Sequence, residues 1–208
     1  VAEREVGDLL AAQGQLLLVV GGMLRARTFV QLGEQGLLVD LPRGQLPLLL
    51  VNALQALARA SAETGAQVVI KAHPLEDVGA LRRLAAEVGL DAPIVGGQLY
   101  EWLLASDVLA TISSTVVYEA AVAERPAMLL EWSGNPDVAG YLDAGIGCLP
   151  ETPAQTGAAL RALLSDESAR AALRERQRAF AQLHLAGADG RASERLAALA
   201  RQLIEDVV

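Results

Sequence analysis

Four groups of residues combine small or polar side chains with positions where an apolar run gives way to a helical pattern. Gly21-Gly22 follow the run 16–20, and Lys71-Ala72-His73-Pro74 follow the run 68–70. Ser113-Ser114-Thr115 follow the run 107–112, and Glu119 comes about one helical turn later. Two adjacent glycines let backbone N–H groups approach a ligand closely. An ordinary turn uses the same residues, and the fingerprint GxGxxG is absent. Pro74 biases His73 toward an extended conformation and so holds it out of the next helix. An imidazole fixed there can donate to a phosphate or ribose oxygen; the plainer role is that of a loop residue. Three hydroxyls at a helix start can cap it. The same place attracts anions, because unpaired N–H groups and the helix dipole point outward together. One hydroxyl suffices for a cap, so the run Ser113, Ser114, Thr115 exceeds that need. Glu119 would stand about 6–7 Å along the axis from the helix start, at a rise of ~1.5 Å per residue. That separation suits a nucleotide whose phosphates sit at the helix start, because a carboxylate accepts hydrogen bonds from both hydroxyls of a ribose. A solvated helix glutamate is the alternative, and periodicity does not decide its facing.

The elements that must position these residues follow from the apolar pattern. Short aliphatic runs at 16–20, 68–70, 93–95, 107–112, 127–130 and 145–149 read as six strands. Leu46, Leu49, Leu50, Ala53, Leu54 and Leu57 recur at helical spacing, and Gly65 stops that helix. Leu81, Leu84, Ala85 and Val88 mark a second helix ending at Gly89. A short helix is predicted over 99–105, and another from Ser113 to about Arg125. From Pro153 onward the pattern is helical throughout. Segment 33–44 reads as a loop. Strands alternating with helices, without hairpin signals, imply βαβ units and a parallel sheet covered on both faces. The expected fold is a doubly wound, Rossmann-like α/β domain of about six strands with a helical C-terminal end. Ligands in such sheets bind beyond the C-terminal strand ends, which is where all four groups fall.

Composition narrows the chemistry further. The chain has 208 residues, 52 % of them hydrophobic and 20 % charged, enough apolar material for a packed core. Its net charge of −8 lacks the electrostatic footprint of general nucleic-acid binding. A small phosphorylated ligand needs only local donors. A single cysteine, Cys148, precludes an internal disulfide and fits a reducing compartment. With only two histidines beside it, a structural zinc site is not expected. Cys148 reads as a small buried hydrophobe rather than a nucleophile, and His184 as a structural or solvated residue. No GxSxG sequence occurs, and no Ser-His-Asp arrangement can be argued. No apolar run approaches the ~20 residues of a membrane span. The first residues, without Met, lack the basic and apolar segments of a signal peptide and point to a fragment.

Stretch 68–130 resembles the C-terminal, donor-binding half of a GT-B glycosyltransferase. The residues that carry this are VVIKAHP and then LYEWLLASDVLATISSTVVYEAAVAERPAMLL. The order K-x-H-P, S-D-V, S-S-T-x-x-x-E-A and R-P is similar to that of transferases making bacterial surface and capsule polysaccharides. Segment 189–195 is similar to the tail of capsule-polysaccharide proteins. The motifs cover about a third of the chain. The resemblance implies a CMP-, CDP- or UDP-linked sugar as partner. His73, Ser113, Ser114 and Thr115 would hold its phosphates, Glu119 its ribose, Gly21 and Gly22 would border the diphosphate, and the loop after Gly97 the base. It implies neither metal nor cofactor; the expected location is cytoplasmic, with the inner face of the membrane as an alternative.

Two departures matter. Where the family has a small and then a basic residue before the proline, this chain has Glu124-Arg125-Pro126, with Glu124 expected on the surface. Non-hydrolysing UDP-GlcNAc 2-epimerases share the architecture but carry a glycine pair where this chain has Ser113-Ser114. A GT-B enzyme keeps its acceptor site and catalytic base in an N-terminal domain, and none fits before residue 16. Residues 1–208 are therefore expected to be a single nucleotide-sugar-binding domain, inactive alone, with its catalytic residues unknown. An epimerase fragment and a non-catalytic interaction domain are the alternatives.

Overall fold

The computed structural model describes residues 15–20, 45–74, 76–112, 114–132, 140–185 and 188–205. Five strands form one sheet: β1 (Gln15–Val20), β2 (Gln67–Ala72), β3 (Ile94–Val95), β4 (Val108–Thr111) and β5 (Ala127–Leu129). The helices are α1 (Gln45–Thr64), α2 (Val78–Glu87), α3 (Leu99–Ala105), α4 (Val116–Val122), α5 (Thr156–Ser165), α6 (Glu167–His184) and α7 (Ala192–Glu205). Strand order is β3-β2-β1-β4-β5, and every pairing is parallel. Segment 33–44, expected as a loop, lies outside the described residues.

Local chemistry sets the helix bounds. Pro47 falls in the first turn of α1, where a missing N–H costs no intrahelical bond. Gly65, in the left-handed region at φ +74°, closes α1 through a 2.8 Å bond from its N–H to the Ser61 carbonyl. Asp77 and Asp166 cap α2 and α6, accepting from the N–H groups of Ala80 and Ala169 at 3.0 Å.

The sheet is covered on both faces. Val68, Ile70, Ala110 and Met128 on one face pack with Leu50, Leu54 and Leu57 of α1, Leu81 of α2 and Leu160 of α5. Val69, Leu109, Ala127 and Leu129 on the other pack with Trp102 and Leu103 of α3 and Val116 and Val117 of α4. β2 is buried along five of its six positions, which explains its continuous apolar reading. α7 buries none of its residues and exposes Leu196, Leu199, Leu203 and Ile204.

The expected sixth strand is not formed. Within 145–149 only Cys148 pairs, in one parallel rung against Met128. Its N–H donates to the Ala127 carbonyl at 2.9 Å, and its carbonyl accepts from the Leu129 N–H at 2.7 Å. Gly145, at φ +68°, ends a turn just before this rung, and Pro150 offers no N–H after it. The helix expected from Ser113 to Arg125 is also shorter. Its end is a left-handed cap in which Glu124 takes φ +54° and the Arg125 N–H bonds the Ala120 carbonyl at 2.9 Å.

Helix α6 braces this side of the sheet. Gln177 is fully buried, and its Nε2 donates to the carbonyls of Arg125 at 2.8 Å and Ile146 at 3.3 Å. Its Oε1 has no partner among the described residues. Gln177→Leu strands two buried carbonyls but also removes one unpaired acceptor, so a net loss of about 1–2 kcal/mol is expected. Urea denaturation checks this, and an unchanged midpoint would show that the two bonds do not hold α6 in place.

Candidate functional site

Because the strands are parallel, their C-terminal ends share one edge. β1 is central, with β2 on one side and β4 on the other, so the strand order reverses at β1, the place at which open α/β sheets bind ligands. Val20 pairs with Ala72, and Val19 pairs with both Lys71 and Thr111. His73 leaves the sheet directly after Ala72, and Ser114 three residues after Thr111. The two flank the end of β1 from opposite sides, on the same edge. Gly21, Gly22 and Ser113 lie outside the described residues.

His73 is exposed, in the loop that precedes α2. Its carbonyl accepts from the Glu76 N–H at 2.9 Å, which turns the chain before the Asp77 cap. Ser114 is half-buried, and its Oγ accepts from the Val116 N–H at 3.3 Å. That acceptor role leaves the hydroxyl proton available for donation. Thr115 is exposed, has helical backbone angles and makes no side-chain cap bond. Ser114 therefore supplies the local cap, and the Thr115 hydroxyl is not used for one. Glu119 is exposed in the first turn of α4, on the side away from Val116, Val117, Ala120 and Ala121, which are buried. Gly97 takes φ +78°, and the neighbouring Gly96 carbonyl accepts from the Trp102 indole at 2.8 Å, anchoring the loop after β3.

Tyr141 belongs to this site and was not anticipated. Its hydroxyl donates to the Ser114 carbonyl at 3.0 Å, and the residue is 3 % exposed. Its ring meets Tyr118 edge-on at 5.3 Å, Tyr118 stacks on Phe180 at 5.7 Å, and Phe180 lies 4.6 Å from the His184 ring. An aromatic chain thus runs from the Ser114 loop to α6. No motif marks Tyr141; a tyrosine in a turn 27 residues from its partner gives no local signal.

Other candidates fall away. Cys148 is partly buried in the core, and desolvation pushes its thiol up to about 11. Arg178 forks onto Glu124 with two 2.6 Å bonds and holds that carboxyl below its ordinary range. A shallow hollow lined by Tyr100, Leu104, Glu124, Arg125 and Arg174 sits at the N-terminal edge of β4 and β5, across the sheet from His73.

The sequence matches no family model and no curated protein. Solved structures do share the fold. S. aureus MnaA, in a structure with UDP, superposes with a TM-score of 0.66 at 15 % identity, over 96 % of this chain and 48 % of that one. A putative UDP-N-acetylglucosamine 2-epimerase from Listeria monocytogenes gives 0.57 at 13 % identity, over 81 % and 40 %. WaaG, a glycosyltransferase involved in lipopolysaccharide biosynthesis, gives 0.54 at 20 % identity, over 88 % and 46 %. The chain has the fold of one half of a GT-B protein and spans about half the length of the solved structures it matches. No helix among the described residues is long and apolar enough to cross a membrane.

Three outcomes are expected here. Tyr141→Phe keeps the ring contacts and loses one bond, so it should lower stability by about 1 kcal/mol. An unchanged melting temperature would remove Tyr141 as the anchor of the Ser114 loop. At pH 8 a thiol titrating near 11 is about one part in a thousand thiolate, far below an unfolded cysteine. Native Cys148 should react with a thiol reagent roughly a hundredfold more slowly than in urea. The raised value also works against the fold in alkali: stability is retained below about pH 8.5 and lost as pH rises toward 11.

Proposed function

We propose that this chain is the nucleotide-sugar-binding half of a glycosyltransferase that builds a bacterial surface polysaccharide from a CMP-, CDP- or UDP-linked donor. The observation that carries this reading is that His73 and Ser114 emerge at one edge of a parallel sheet, on either side of β1. His73, Ser114 and Thr115 hold the donor phosphates, with Ser113, Gly21 and Gly22 assigned to the same task from the sequence. Glu119 accepts from the ribose hydroxyls. In the assembled enzyme these donors stabilise the charge that grows on the nucleotide as the glycosidic bond to it breaks. The acceptor site and catalytic base belong to a partner domain of similar size, in keeping with solved structures about twice as long as this chain. The likeness to WaaG supports the surface-polysaccharide assignment. The likeness to the Listeria epimerase supports a second reading, a UDP-GlcNAc 2-epimerase half. Ser114, where those enzymes have a glycine pair, favours the transferase.

Calorimetry tests the reading directly. CMP, CDP or UDP should bind weakly, because one wall leaves the ligand open to water. Absence of binding at millimolar concentration, a ~4 kcal/mol event, would remove its support. Two variants separate the assigned roles. Glu119→Gln should weaken ribonucleotides roughly tenfold and spare 2′,3′-dideoxynucleotides, while Ser114→Ala should weaken both. If Ser114 only caps α4, its change costs ~1 kcal/mol of stability and leaves affinity untouched. Equal effects of Glu119→Gln on both kinds of nucleotide would return Glu119 to the role of a surface carboxylate.

A further inference from the structure

Strand β2 carries one charged residue, Lys71, and it is only 7 % exposed. Side chains alternate along a strand, so Lys71 shares the face of Val69, which packs with Trp102, Leu103, Val116 and Val117. Its Nζ donates at 3.0 Å to the carbonyl of Ala72, the residue bonded to His73. That acceptor is neutral, and no carboxylate pairs with Lys71 among the described residues. An ammonium has three donors, and one is used among the described residues. Holding such a cation out of water without a counter-charge is costly, so its retention needs a cause.

The surroundings supply one. Lys71 stands on the last rungs of β2, and Val19 of β1 pairs with it on one side and with Thr111 of β4 on the other. Thr111 is 1 % exposed and shares a face with Leu109, whose cluster is also that of Val69. The end of the sheet thus carries two buried polar side chains astride β1, on the face where α4 packs and at the edge where His73 and Ser114 emerge. We infer that Lys71 is the fixed cation of this site and that its counter-charge is the phosphate or diphosphate of the ligand. It makes the site discriminate by anionic charge, favouring nucleoside diphosphate over monophosphate over nucleoside. This rests on the nucleotide reading given above and adds a residue and a selectivity to it.

The test compares this chain with Lys71→Met by calorimetry, using CDP, UDP, CMP, cytidine and inorganic pyrophosphate, with thermal melting of both free proteins. The original chain should prefer CDP or UDP, with affinity falling as salt rises. Lys71→Met should lose tenfold or more for CDP, UDP and pyrophosphate and be unchanged for cytidine. It should melt at or above the original, because an uncompensated buried charge has gone. Equal diphosphate affinity in the two proteins would overturn the role of Lys71 and leave the nucleotide reading intact. Binding of pyrophosphate but of no nucleotide, lost in Lys71→Met, would uphold the cation and overturn the nucleotide reading. Binding of none of the five by the original chain would overturn both. A lower melting temperature for Lys71→Met would make the ammonium a structural tie and overturn the inference.

Discussion

The common direction of the strands is the constraint on which the rest of this structure depends. A parallel strand cannot be reached by a hairpin; each requires a crossover, and the crossovers place helices on both faces of the sheet. Both faces must then be apolar, which divides the core into a cluster under α1, α2 and α5 and another under α3 and α4. The same direction sends every strand out at one edge. His73 and Ser114 both emerge there because β2 and β4 flank β1, although 41 residues of sequence and two helices separate them. A strand covered on both faces has little tolerance for polar side chains. In β2 and β4 the buried exceptions, Lys71 and Thr111, both occur at the end where the chain reaches the candidate site.

Much of this was legible in the sequence, and the exceptions share a cause. β2 and β4 appear as aliphatic runs, interrupted near their C-terminal ends by Lys71 and Thr111, because both faces are buried, and α1 and α2 end at glycines that take left-handed angles. The shared edge of His73 and Ser114 follows from the alternation of strand and helix alone. The segment around Ile146 and Cys148 has the composition of a strand but pairs at one rung, because pairing length is decided by the turn before it and Pro150 after it. The end of α4 had no local signal, since the left-handed cap residue is Glu124 where glycine is usual. Lys71 was visible as part of a motif, but a strand buried on both faces shows no alternation from which its facing could be read. Tyr141 was invisible for a simpler reason, its partner being distant in the chain.

Helix α6 shows how the fold holds the site from behind. In successive positions, Arg176 donates to the Gly145 carbonyl at 2.9 Å, Gln177 to those of Arg125 and Ile146, and Arg178 to Glu124. One turn of helix thus fixes the C-terminal end of α4 and the turn beside β5. The Arg178 fork also holds the side chain of Glu124, the non-glycine residue at φ +54° that ends α4. Phe180, three residues on from Gln177, reaches the N-terminal end of α4 through Tyr118 and Tyr141. Both ends of α4 are therefore tied to the same helix, one by polar bonds and one by rings.

This bracing bears on why the polar groups of the candidate site can stay exposed. His73, Thr115 and Glu119 are exposed and contribute little packing, so the core does not depend on them. Small-molecule sites bury most of their ligand's surface, and a single sheet edge offers one wall. An edge with exposed donors, held rigid from the opposite side, has what one wall of such a site requires: groups in fixed positions that still face water. The solved structures that share this fold are about twice as long as the chain. Where a ligand sits between two walls of this kind, their closure supplies affinity through desolvation, whereas charge complementarity acts through the first donors the ligand meets.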